Sequence, residues 1–176
     1  MVKTFLAFLL LLPLMVSCAD RAPVDGHTVS KVDLQRYSGK WYEIASLPNS
    51  FQKDCFCTSA EYSLEDGYVK VVNRCRRGYV HGQEDEAVGK AWPVKGSNNS
   101  RLEVSFFWPF KGDYWVIGLD EDYQWAIVGH PDKKYLWILA RKPHISPALY
   151  KELIEKVKDM GYQTENLNKT VQACGE

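Results

Sequence analysis

From Trp41 onward the chain alternates short apolar runs, rich in Val, Ile, Tyr, Phe and Trp, with clusters of turn residues. Segments of this length and composition read as strands, and their regular recurrence reads as an all-β sandwich or barrel. The pattern predicts strands over about 40–47, 57–64, 68–76, 86–94, 101–107, 113–119, 123–129 and 135–141. Turn chemistry separates consecutive runs at Glu65-Asp66-Gly67, Gly96 to Asn99, Pro109 to Gly112, Asp120 to Asp122 and Pro131 to Lys133. Eight antiparallel strands joined by hairpins close most economically as an up-and-down barrel, whereas a sandwich wants Greek-key crossings. Alternate residues of a strand share a face, so Leu102, Val104 and Phe106 look one way, as do Trp137 and Leu139.

The period then changes. Ser146 followed by Pro147 is a helix start, and Leu149, Leu153, Val157 and Met160 recur at helical spacing until Gly161. So narrow a stripe fits one C-terminal α-helix packed outside the barrel. Residues 19–32, with Pro23 and Gly26, show no hydrophobic period and read as a flexible tether. Ahead of them stand Lys3 and an apolar run broken by Pro13, too short to cross a bilayer and built like an export signal. The expected organisation is a signal peptide over 1–17, a lipidated tether over 18–32 and one domain over 33–176.

Charge excludes one class of partner. The 22 basic and 22 acidic side chains cancel and are interspersed, so nucleic acid has no basic stripe to bind. Six tryptophans in so small a domain suit the walls of an apolar pocket. Cysteines add more. Leu14-Met15-Val16-Ser17-Cys18 resembles a bacterial lipobox, in which the cysteine becomes the first mature residue and carries acyl chains; Met15 stands where Leu is usual. The alternative is a cut after Cys18 and a secreted product. Lipidating Cys18 leaves an even set, Cys55, Cys57, Cys75 and Cys174, able to form two disulfides in an oxidising compartment. Several acyl chains anchor stably, and Ala19 in place of Asp resembles delivery to the outer membrane, at its periplasmic face. The residues alone leave three pairings of four cysteines open. A redox or metal role for Cys55-Phe56-Cys57 has no nearby histidine and an exported context against it.

The strongest local signal is Gly39-Lys40-Trp41-Tyr42, ahead of the first strand, together with Arg141 at the end of the last. First and last strands are neighbours in a closed barrel, and a guanidinium over an indole there is worth about 0.5–2 kcal/mol. These pieces resemble the first and third signature regions of the lipocalins, and Leu119 to Val128 resembles the second, with Leu119 where Thr is usual. The resemblance runs from about Val32 to Cys174. Trp41 to Ala45, Leu102 to Phe107 and Leu136 to Arg141 are most similar to the bacterial lipocalins and the apolipoprotein D branch.

That resemblance implies an eight-stranded barrel that carries a fatty acid or lysophospholipid and catalyses nothing, with no cofactor and no metal. It implies a pocket lined by Tyr62, Asn73, Phe106, Tyr114, Trp137 and Leu139, with the polar tips of Tyr62, Asn73 and Tyr114 near the mouth. Gly39, Trp41 and Arg141 are the structural signature. It further implies a Cys57–Cys174 bridge, which leaves Cys55 for Cys75. Two alternatives stand beside it: a filled barrel serving as an interaction module, and a lipid-modifying enzyme using an inward-facing Cys75, whose chemistry a disulfide would abolish. The pattern leaves room for a homodimer. Catalytic signatures such as Gly-x-Ser-x-Gly and His-Glu-x-x-His do not occur. Glu43 and Glu61, on neighbouring strands, read as ordinary exposed charges.

Overall fold

The computed structural model describes residues 28–174. The expected signal peptide, Cys18 and most of the expected tether lie outside the described residues. Eight strands form the barrel: β1 (Gly39–Ser46), β2 (Cys55–Glu65), β3 (Tyr68–Arg77), β4 (Glu84–Pro93), β5 (Arg101–Phe107), β6 (Phe110–Leu119), β7 (Trp125–Gly129) and β8 (Leu136–Ala140). Each pairs antiparallel with the next, and β1 closes the ring by pairing with both β8 and β2. The fold is the up-and-down barrel the alternation predicts, with observed ends within about three residues of the expected ones.

The loops after β1, β3, β5 and β7 share one end, the mouth; those after β2, β4 and β6 share the other. The second end is sealed. There Leu34–Tyr37 forms a short helix, α1. Its start is fixed by Asp33, whose side chain accepts from the backbone N–H groups of Gln35 and Arg36. Residues 28–32, read from sequence as the end of the tether, also belong to this seal. The Val29 amide donates to Val116 at 2.9 Å, the Val32 amide to Asn98 at 3.0 Å, and the Val32 side chain is buried. Two apolar residues among polar neighbours give no period to detect, so the docking was not legible.

Two apolar clusters result, one inside the barrel and one outside it. Trp41, Tyr62, Val69, Val71, Leu102, Val116, Val128 and Leu139 point inward. Ile44, Ile117, Ile127, Leu136 and Ile138 point outward, and there the helix α2 (Pro147–Asp159) covers them with Leu153 and Val157. Ser146 caps α2 by accepting from the Leu149 amide, with Pro147 at the first helical position, as expected. Each fully buried aliphatic side chain contributes about 1.5–3 kcal/mol, and Leu149, Tyr150 and Ile154 add partly buried contacts to the same cluster.

A ninth strand, β9 (Asn168–Lys169), is a structural feature the sequence does not announce. Near the sealed end β1 and β2 pair from Gly39–Tyr62 to Tyr42–Ser59, and then they part. The C-terminal segment fills the gap toward the mouth. Lys169 and Asn168 pair with Ala45 and Ser46, the Thr170 amide donates to Ile44, and the Cys57 amide donates to Val171. The Gln172 amide nitrogen spans both edges, donating to the carbonyls of Glu43 and Thr58. Disulfides join Cys57 to Cys174 and Cys55 to Cys75, with Cα separations of 5.9 and 5.5 Å.

Candidate ligand-binding site

The sealed floor is built on Trp41, fully buried at the start of β1. The Arg141 guanidinium lies 3.8 Å from the centre of its ring. That guanidinium donates to the carbonyls of Lys40 at 2.9 Å, Arg36 at 2.7 Å, Tyr37 at 3.2 Å and Tyr123 at 3.2 Å. One side chain thereby ties α1, β1 and the β6–β7 turn together, a task for a planar fork of donors that a lysine cannot perform. Gly39 adopts φ of +91°, and a Cβ there would sit 3.5 Å from the guanidinium, so backbone geometry more than space requires glycine. The Trp41 indole N–H is satisfied by the Tyr37 carbonyl at 2.7 Å.

Directly above the floor, three tyrosine hydroxyls meet. The Tyr114 hydroxyl is the hub, 2.7 Å from that of Tyr37 and 2.9 Å from that of Tyr62. The sequence reading puts the polar tips of Tyr62 and Tyr114 near the mouth; the structure places them at the deep end, against Tyr37 and Trp41. Burial pushes all three phenols up, Tyr62 to about 12, so each is a neutral donor at any physiological pH. Three hydroxyls bring three protons to two hydrogen bonds. One proton is therefore left over for an acceptor inside the barrel.

The wall between floor and mouth is apolar. Phe106 packs into this interior against Gly89, where an added Cβ would come within 2.8 Å of its ring. Leu139 is buried and Trp137 partly so. Asn73 is half-buried on the inner face of β3, paired in register with Ala60 and Ala87. Asn73 is not part of the tyrosine cluster.

Toward the mouth a second polar group appears, unforeseen in the sequence. The Trp137 indole N–H donates to Gln52 at 2.7 Å, and Gln52 donates to the Glu43 carboxylate at 2.7 Å. Glu43 also accepts from Ser46 and Thr170. Only 5% of Glu43 is exposed, which corrects its reading as a solvated strand charge, whereas Glu61 is exposed and paired with Arg74 at 2.8 Å. Desolvation pushes the Glu43 carboxyl above the usual range, against three donated hydrogen bonds that pull it down. Its alternation with Trp41 on β1 was the available signal; Tyr37, one turn before Trp41, had only helical spacing to suggest it. Phe51 and Tyr135 complete an aromatic rim with Trp137, the last two stacked at 6.0 Å.

Cys75 also faces inward by register, but its sulfur is bonded to Cys55, so it offers no thiol for nucleophilic chemistry. Among the described residues no group of three His, Cys, Asp or Glu side chains is placed to hold a metal ion.

A closed eight-stranded cup, sealed by a Gly-x-Trp strand start under an arginine and lined by apolar side chains, defines a barrel of the lipocalin type. The lipocalin-like domain model matches residues 32–172, and the chain belongs to the lipocalin family. It is 40% identical over 164 residues to outer membrane lipoprotein Blc of Vibrio cholerae, covering 91% of this chain and 94% of that protein. It is 33% identical over 156 residues to apolipoprotein D of Bos taurus, covering 82% and 79%. Among solved structures, insecticyanin from Manduca sexta superposes with a TM-score of 0.67 over 82% of each chain at 20% identity, a likeness of fold.

Proposed function

We propose that the barrel binds and carries a single-chain hydrophobic molecule, a fatty acid or lysophospholipid, at the periplasmic face of the outer membrane, held there by acyl chains on Cys18. The observation that carries this reading is the inner wall: apolar from Leu139 and Val71 to Phe106 and Trp137, sealed below, with one uncommitted hydroxyl proton at the bottom. Burying an acyl chain of about sixteen carbons offers about 0.8 kcal/mol per methylene, less the cost of ordering it. Family members generally bind and transport, and relatives with Blc in their name are called outer membrane lipoproteins, which supports reading Leu14 to Cys18 as an acylation signal.

Titration of the delipidated protein with lysophosphatidylcholine tests the proposal. Tryptophan emission changes saturably, one lipid per chain, because Trp137 and the plug around Trp41 border the bound chain. An unchanged spectrum at saturating lipid defeats the carrier reading and favours a filled barrel acting as an interaction module.

A further inference from the structure

A groove with a volume of about 370 Å³ runs over the outer face of β3, β4 and β5, on the opposite side of the wall from the interior. Val69, Val71 and Ala91 point into the barrel, so Tyr68, Lys70, Lys90 and Trp92 point out of it. Trp108, at the β5–β6 turn, meets Trp92 edge-on at 6.4 Å and forms the aromatic end of the groove.

Two features of this groove are unfavourable as they stand. Lys70 and Lys90 are directly opposite each other in the β3–β4 register, and like charges so placed destabilise a sheet. The outward acids of β4 and β5 nearest the groove are already engaged, Glu86 by Arg74 at 2.8 Å and Glu103 by Lys111 at 2.6 Å. Among the described residues no ion pair involves Lys70 or Lys90; the Lys90 ammonium rests 4.6 Å from the Tyr68 ring centre. The second feature is Ser105, which lines the groove, is only 7% exposed, and has a hydroxyl oxygen without a hydrogen-bond partner. Buried hydroxyls are seldom left unpaired. An anion between the lysines would relieve both, and the lining beyond them is mostly apolar and aromatic.

We propose that this outer groove is a second binding site for a medium-chain amphiphilic anion, a free alkyl carboxylate. Its head lies between Lys70 and Lys90 within reach of the Ser105 hydroxyl, and its chain lies along Trp92 and Trp108. The proposal does not rest on the carrier reading, although Gly89 and Phe106 of the interior wall also line the groove.

Decanoate, titrated into the full protein with ¹⁵N-labelled indoles, provides the test, because Trp92 and Trp108 report on the groove while Trp137 reports on the interior. The Trp92 and Trp108 resonances shift saturably, and the midpoint rises at least tenfold in Lys70→Gln/Lys90→Gln and for neutral decanol. Ser105→Ala raises it several-fold. The substituted lysines are on the surface, and an unchanged Trp137 response verifies that the variant is folded. Movement of Trp137 alone overturns the outer site and leaves the carrier reading intact. Equal midpoints for decanol or for the double lysine variant overturn the anionic assignment. Phosphatidylglycerol vesicles that shift Trp92 and Trp108 more readily than decanoate overturn a free acid in favour of a membrane lipid.

Discussion

Tyr114 differs from its two partners in a way that can be measured. Its hydroxyl makes both hydrogen bonds of the cluster, so Tyr114→Phe leaves the buried hydroxyls of Tyr37 and Tyr62 without a partner. Such orphaned groups cost about 1–3 kcal/mol. Tyr62→Phe removes an end member, and the Tyr37–Tyr114 bond survives it. Urea unfolding will therefore show a larger loss of stability for Tyr114→Phe than for Tyr62→Phe, at unchanged m-value; equal losses would deny the hub its role. Glu43 gives a second residue-level prediction. Burial raises its folded carboxyl above the ordinary glutamate value of 4.5, so the folded state holds the proton more tightly than the unfolded chain does. The associated stability is fully present below about pH 4.5 and is lost as pH rises through the folded value. The unfolding midpoint of the wild type relative to Glu43→Gln falls over that window. A pH-independent difference would mean that burial does not control this carboxyl.

At the level of elements, what was legible in the sequence was what has a period. The eight barrel strands and α2 follow from alternation and from the spacing of Leu149, Leu153 and Val157, each bounded by turn or cap residues. β9 has two polar residues, and its place is set by tertiary contacts with Ile44, Ala45 and Cys57, which no local pattern encodes. The same holds for α1, one turn long, and for residues 28–32. β9 is also where the Cys57–Cys174 disulfide matters. It closes a separation of 117 residues, and removing such a bridge typically costs about 2–5 kcal/mol. The Cys57→Ser/Cys174→Ser protein will lose that stability, and its amide exchange will accelerate at Thr170 and at position 57, which face the gap between β1 and β2. Uniform acceleration over all strands would show instead that the tail is not a separable unit.

For the whole molecule, the sealed floor was largely readable, because Gly39, Trp41 and Arg141 sit at the ends of adjoining strands. The polar levels inside the barrel were not, because alternation says which side chains point inward and nothing about their height. Tyr62 and Tyr114 were thus placed at the wrong end, and the Glu43–Gln52–Trp137 chain depends on a β1–β2 loop without periodicity. The same molecule has a second apolar edge beside the mouth, where Phe107, Trp108 and Phe110 are 81%, 74% and 77% exposed. Membrane association therefore has two candidate sources, lipid on Cys18 and this aromatic hairpin, and one substitution separates them. Several acyl chains hold a protein on a membrane, whereas a few interfacial aromatics bind reversibly. Cys18→Ala will abolish labelling by radioactive palmitate and move the protein from the membrane to the soluble periplasmic fraction. Its affinity for lysophosphatidylcholine will be unchanged, since the matched domain begins only at residue 32. Retention of Cys18→Ala on membranes would transfer the anchoring role to the Phe107–Phe110 hairpin, and a further Trp108→Ser substitution would then release it.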